Sequence, residues 1–166
     1  MSIFESGAIL VYLADKSGKL LPQTTRERFK VLEWLFWQIG GLGPMAGQAH
    51  YYLRYAPTKN EEGMTRFHNE VSRLYHVMDW QLARQEYLGG EYSIADIACW
   101  PWVFRHDWQG QNLDDYPHLK RWFEAIRERP AVKRAYAVAA RFKNPTTMSD
   151  DAKKVLFGQT AAGVKP

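Results

Sequence analysis

Tyr92-Ser93-Ile94-Ala95-Asp96-Ile97 is the stretch on which the fold turns. A serine followed three residues later by an acid is a reciprocal N-terminal box, in which Ser93 caps the helix and Asp96 reaches back to the Ser93 amide. Tyr92 and Ile97 are spaced as the hydrophobic staple that accompanies it. The residues that follow, to about 106, are apolar nearly all round. A helix without a polar face belongs at the centre of a helical domain. Pro101 within it predicts a kink. Asp96 invites a catalytic reading too, but its place three residues after Ser93 makes it a capping residue first.

Outward from this box the apolar spacing stays helical. Tyr116-Pro117 opens a helix to residue 129, and Pro130, at a first helical position, opens the last one, to about 142. On the other side, Leu88-Gly89-Gly90 closes a long helix over 58–88, where Met64, Phe67, Val71, Leu74, Met78 and Leu82 step by three or four. An earlier long helix starts near Thr24-Thr25, where a threonine caps and Glu27 serves the first turn. It carries Phe29, Leu32, Leu35, Phe36 and Ile39 up to Gly40-Gly41-Leu42-Gly43-Pro44, which bends or breaks it, and helical residues resume over 45–55. The two long segments predict an antiparallel hairpin. A short helix over 6–16 stops at Ser17-Gly18, where glycine takes the left-handed position. No alternating stretch bounded by turn residues argues for a strand, so the chain reads as all-α. Beyond residue 143 it is polar and punctuated by Gly and Pro, which predicts a loosely held tail with one turn around 152–156.

Composition narrows the function. The chain has 166 residues, 46% of them hydrophobic, enough for a full core, and a net charge of +4. That charge comes from scattered residues such as Arg26-Glu27-Arg28 and not from a basic block, so nucleic acid is not an expected partner. The aromatic run Trp100, Trp102, Phe104 and Trp108 lacks a basic groove and reads as core. Cys99 is the single cysteine. It sits between Ala98 and Trp100 on the buried helix and reads as an inert apolar thiol, and a lone cysteine suits a reducing, cytoplasmic compartment. The apolar run over 7–14 carries Glu5 where a leader would carry a cation, and no run reaches membrane-spanning length. A soluble protein is expected. The five histidines, His50, His68, His76, His106 and His118, show no metal-binding spacing, so no metal is expected.

Glu5-Ser6 is the first candidate site. A serine at a helix start offers its hydroxyl and nearby amides to a carboxylate with the dipole assisting, and the adjacent glutamate can pair with an ammonium. Together they make a receptor shaped for an amino acid. Local sequence leaves this open against a plain N-cap role for Ser6.

Four separated motifs supply a family resemblance. Phe4-Glu5-Ser6-Gly7-Ala8-Ile9-Leu10, the run Trp34-Leu35-Phe36-Trp37-Gln38 with Gly41-Leu42-Gly43-Pro44-Met45, the Ser93-Ile94-Ala95-Asp96 box and Arg129-Pro130-Ala131-Val132 together resemble a glutathione transferase. More narrowly they are similar to the bacterial nu-class members that act as glutathione-dependent disulfide-bond oxidoreductases. The resemblance covers roughly residues 3–142.

Such proteins begin with a thioredoxin-like domain, and Glu5-Ser6 precedes that domain's last helix. The resemblance therefore implies three parts: a thioredoxin-domain remnant over 1–22, the family's C-terminal helical domain over 23–142, and a tail over 143–166. It implies that the loops carrying the catalytic Ser, Tyr or Cys, or the nu-class Thr and Asn, are missing. On that reading the chain is truncated, holds no catalytic residue and is inactive alone. Glu5 and Ser6 would grip the γ-glutamyl end of glutathione, the co-substrate. Met45, Gln48 and His50 would border the second-substrate pocket, although a methionine in such a domain also suits the core. Glutathione or oxidised glutathione is the expected small-molecule partner, and a homodimer or other self-association is expected through bared apolar surface. The alternative is a non-catalytic helical interaction module.

Overall fold

The structure, a computed structural model, describes residues 1–139, 141, 142 and 148–160. Residues Met1–Arg127 form one unit and those from Glu128 onward a second. In the first unit α1 (Ser6–Ser17) is followed by α2 (Thr25–Trp37), α3 (Gly43–His50), α4 (Glu61–Leu82), α5 (Ile94–Val103) and α6 (Pro117–Arg127). The second unit contains α7 (Pro130–Ala139) and α8 (Asp150–Phe157). The architecture is all-α, as the apolar spacing predicts.

The glycine-rich segment does not break the helical run. Gln38–Leu42 is a π-helical turn that carries α2 directly into α3, and a second π turn, Tyr51–Tyr55, ends the run. Backbone angles stay right-handed across the first junction, with Gln38 at φ −64, ψ −48 and Gly43 at φ −58, ψ −57. One residue is inserted into the helical ladder at each such turn, which rotates every later side chain relative to the earlier ones. The hairpin is antiparallel: Tyr52 stacks on Phe67 at 5.3 Å, whereas a Cβ on Gly41 would touch Leu74, further along α4.

Helix boundaries differ from the expected ones where local chemistry outweighs apolar period. The long helix begins at Glu61, because Asn60 caps it by accepting from the Gly63 amide at 2.8 Å. It ends at Leu82 rather than 88. There Arg121 of α6 donates to the carbonyls of Leu82 (3.0 Å), Gln85 (3.1 Å) and Glu86 (3.3 Å), serving the orphan acceptors of the helix end. Asp79 of α4 returns the service at the start of α6, accepting from the amides of His118 (2.8 Å) and Leu119 (2.9 Å). Thr24 spends its hydroxyl on Glu27, donating at 2.7 Å, instead of capping α2. Helix α5 stops at Val103, and two 3₁₀ turns, His106–Gln109 and Leu113–Asp115, lead to α6. The last two helices also differ from the reading. Helix α7 ends at Ala139, and where one turn was expected in the tail, Asp150–Phe157 is helical with Ser149 accepting from the Ala152 amide at 3.2 Å. Residues 143–147 and 161–166 lie outside the described part.

Helix α5 is the centre of its unit. Ile94, Ala95, Asp96, Cys99, Trp100 and Val103 are buried, and the helix packs on α1, α2, α3 and α6. Burial pushes the Cys99 thiol well above its ordinary range, with the Asp96 charge adding to the effect, so it is poor as a nucleophile. Asp96 is the polar hub: Oδ2 accepts from the Ser93 amide (3.0 Å) and hydroxyl (3.1 Å), and Oδ1 from the Leu88 amide (3.0 Å) and the Trp122 indole (2.8 Å). The capping box is therefore present, and it also ties α5 to α6 and to the loop after α4.

Candidate functional site

The start of α1 is where the family resemblance leads one to expect the γ-glutamyl end of glutathione, and its backbone is unusual. Glu5, the residue preceding the helix, has φ 70, a left-handed conformation that disfavours a side chain and commonly marks functional positions. Ser6 is the first helical residue and not the cap, which corrects the plain N-cap alternative: no side chain accepts from the first-turn amides. Glu5 and Ser6 are both exposed. Free first-turn amides, a free hydroxyl and a neighbouring carboxylate suit a ligand group with an anionic and a cationic end.

Gly7 ties this helix start to the rest of the domain. It is buried, and a Cβ there would overlap the end of the Ile39 side chain, so α1 lies close against the first π turn and a larger residue would have to displace Ile39 Cδ1. From that turn α3 carries the second group of expected residues: Met45 is half-buried and Gln48 exposed. His50 is turned elsewhere. Its ring stacks on Trp102 (6.1 Å) and meets Trp108 edge-on (5.7 Å). The buried Gln109 amide lies 3.2 Å from its Nε2, and because an amide N–H only donates, that nitrogen is the unprotonated one. Burial first, then the charges of Arg105 and Arg54, hold the His50 pKa below the usual histidine range. The structure thus places Met45 and Gln48 on the helix that continues from the π turn under Gly7, and gives His50 to an aromatic cluster.

Two features had no sequence signal. Gln109 accepts from the Tyr75 hydroxyl (2.8 Å) and donates to the Trp102 carbonyl (2.7 Å), and Gln111 accepts from the Tyr116 hydroxyl (2.8 Å). These contacts join residues 34 and 5 positions apart, among others, on irregular backbone that periodicity does not address. A cleft of 460 Å³ also opens beside α2, lined by Lys30, Trp34, Trp37, Gln81, Gln85 and Leu88. None of the sequence-predicted site residues lines it. Among the described residues no group of three or more His, Cys, Asp or Glu is placed to hold a metal ion, and no helix is long and apolar enough to cross a membrane.

A central helix with a buried acid box, a two-part long hairpin and a helix start held by glycine against it define the helical half of the glutathione transferase fold. The chain belongs to the glutathione S-transferase family: residues 43–130 match its C-terminal domain. It is 53% identical over 138 residues to the disulfide-bond oxidoreductase YfcG of Escherichia coli (strain K12), covering 81% of this chain and 63% of that protein. It is 42% identical to the disulfide-bond oxidoreductase YghU of the same organism, covering 82% of this chain and 50% of that protein. Among solved structures it is similar to a glutathione transferase from Pseudomonas putida with one glutathione disulfide bound per subunit, at 40% identity and a TM-score of 0.75, over 81% of this chain and 61% of that one. The chain thus spans between half and two thirds of the length of these relatives.

Proposed function

We propose that the chain serves as the helical half of a glutathione-dependent disulfide-bond oxidoreductase or transferase, in which Glu5 and Ser6 hold the γ-glutamyl end of glutathione. The observation that carries this reading is the open N-terminus of α1, with Glu5 at φ 70, in a chain 53% identical to a disulfide-bond oxidoreductase. Residues 1–22 stand as the last helix of a thioredoxin-like domain, 23–142 as the helical domain and 143–166 as a tail. Met45 and Gln48 face the second substrate, with His50 behind them as a wall of the aromatic cluster. A reducing, cytoplasmic setting agrees with the single, buried Cys99.

Calorimetry tests the glutathione assignment. In the presence of the thioredoxin-like domain of a close relative, the chain is expected to bind glutathione or its disulfide. Ser6→Ala is then expected to weaken binding about tenfold, the worth of one hydrogen bond to a charged group. Equal affinity for the parent and Ser6→Ala would remove Ser6 from the site.

Self-association belongs to the same reading. Phe29 and Phe36 lie two turns apart on α2 and are 58% and 65% exposed, and Trp80 on α4 is 63% exposed. Large exposed aromatic residues mark surfaces that find partners. Sedimentation over the micromolar range is expected to show a concentration-dependent dimer that Phe36→Glu dissociates, and a monomer at every concentration would refute it.

A further inference from the structure

The aromatic cluster that takes His50 carries two cations on its surface. The Arg54 guanidinium lies 4.6 Å from the centre of the Trp108 ring and that of Arg105 lies 4.4 Å from the same centre. Both arginines are exposed, and among the described residues neither has a carboxylate within ion-pair distance. Two like charges gathered on one indole repel each other, and cation–π attraction at exposed sites offsets only part of that repulsion. The pair is therefore a concentrated positive charge, offset in part by Asp107 nearby.

The platform beneath it is rigid. Trp108 lies in the 3₁₀ turn His106–Gln109, whose last residue is fully buried and anchored by Tyr75 and the Trp102 carbonyl. Its amide donates to the Arg105 carbonyl at 2.9 Å, and the His50 and Tyr55 rings meet it edge-on. Arg54 comes from the second π turn, an irregularity that is often kept at functional sites. Two segments far apart in sequence thus bring their guanidiniums to one fixed ring.

We propose that Arg54 and Arg105, held on Trp108, form a binding site for a phosphate-bearing small molecule, separate from the start of α1. The choice of phosphate follows from counting acceptors. A single carboxylate has two oxygens and fills one guanidinium fork, whereas a phosphoryl group has three and a pyrophosphate more, enough for both. The Trp108 ring is already occupied by its two arginines, so charge and not ring stacking selects the ligand. Asp107 is the negative group beside the site, and it lowers affinity.

Calorimetric titration of the chain with inorganic phosphate and with pyrophosphate at constant ionic strength tests this, with acetate as the monocarboxylate arm. Saturable one-to-one binding is expected, tightest for pyrophosphate and absent for acetate. Arg54→Gln and Arg105→Gln are each expected to weaken pyrophosphate about tenfold. Asp107→Asn should tighten it and Ser6→Ala should leave it unchanged. Both arginine side chains are exposed, so the variants should melt as the parent does. A second readout uses His50: a bound dianion neutralises the charges that depress its pKa, so the ring should titrate higher by NMR when pyrophosphate is present. Binding that survives both arginine variants, or heat that follows ionic strength alone, overturns the proposal. Weakened glutathione binding in Ser6→Ala, measured with the thioredoxin-like domain present, together with intact pyrophosphate binding separates this site from the glutathione reading.

Discussion

Asp96→Ala is expected to lower the stability of the helical unit by about 3–5 kcal/mol, enough to remove much of the margin of a domain this size. A helix cap alone is worth about 1–2 kcal/mol. The larger figure follows from the partners. Asp96 is fully buried, and its loss strands the amides of Leu88 and Ser93 and the indole of Trp122, each a buried donor. An unsatisfied buried donor costs about 1–3 kcal/mol. Asp96→Asn keeps the shape but turns one accepting oxygen into an N–H, so it should lie between parent and Ala. Burial pushes the Asp96 carboxyl upward despite its four donors. A carboxyl raised in the folded state adds stability below its ordinary pKa and loses it as pH rises through the folded one, so acid unfolding should not begin at this residue. Urea denaturation of the three proteins tests the ranking, and an Asp96→Ala midpoint within error of the parent would refute it.

This residue also shows how far the sequence could be read. Ser93 and Asp96 lie one helical turn apart, and that spacing carries the box, the start of α5 and its central place. Leu88 and Trp122, 8 and 26 residues from Asp96, share no periodicity with it, so the tie between helices was invisible. Gly40 to Pro44 was legible as an irregularity. Its outcome, a π turn, was not, because right-handed angles persist throughout and only the hydrogen-bond register changes. The end of α4 differs for a related reason: the apolar period runs to Leu82 and Gly89-Gly90 is the next stop signal in the sequence, while the carbonyls at the helix end are served by Arg121 from another helix. At the site, Glu5 and Ser6 drew attention as residue types, but the positive φ of Glu5 and the fit of Gly7 on Ile39 are tertiary facts. His50 is grouped with Met45 and Gln48 by the family resemblance, which puts a second-substrate pocket after the glycine-rich bend. Its partners, Trp102, Trp108 and Gln109, come from the end of α5 and the 3₁₀ turn after it, more than fifty residues on.

The 166-residue chain alone is expected to leave two test reactions at their uncatalysed rates: conjugation of glutathione to an aromatic electrophile and reduction of a small disulfide. Both need glutathione as a thiolate held beside its partner, and donors aimed at the sulfur supply that. Removing one such donor from an enzyme typically costs about 100- to 1,000-fold in turnover. By the family resemblance those donors come from the first loops of a thioredoxin-like domain, and the chain aligns with 63% of the length of its oxidoreductase relative. In the proposed reading Glu5 and Ser6 act at the opposite end of the tripeptide. Contacts made equally to ground and transition state lower the concentration needed without raising the turnover rate. Cys99 offers no substitute nucleophile, since burial holds its thiol protonated. Supplying the thioredoxin-like domain of a close relative as a separate polypeptide should restore measurable disulfide reduction. Ser6→Ala should then weaken it through KM more than through kcat. Turnover by the purified chain alone, persisting after active relatives are excluded as contaminants, would place the chemistry within these helices and overturn the assignment of Glu5 and Ser6 to binding only.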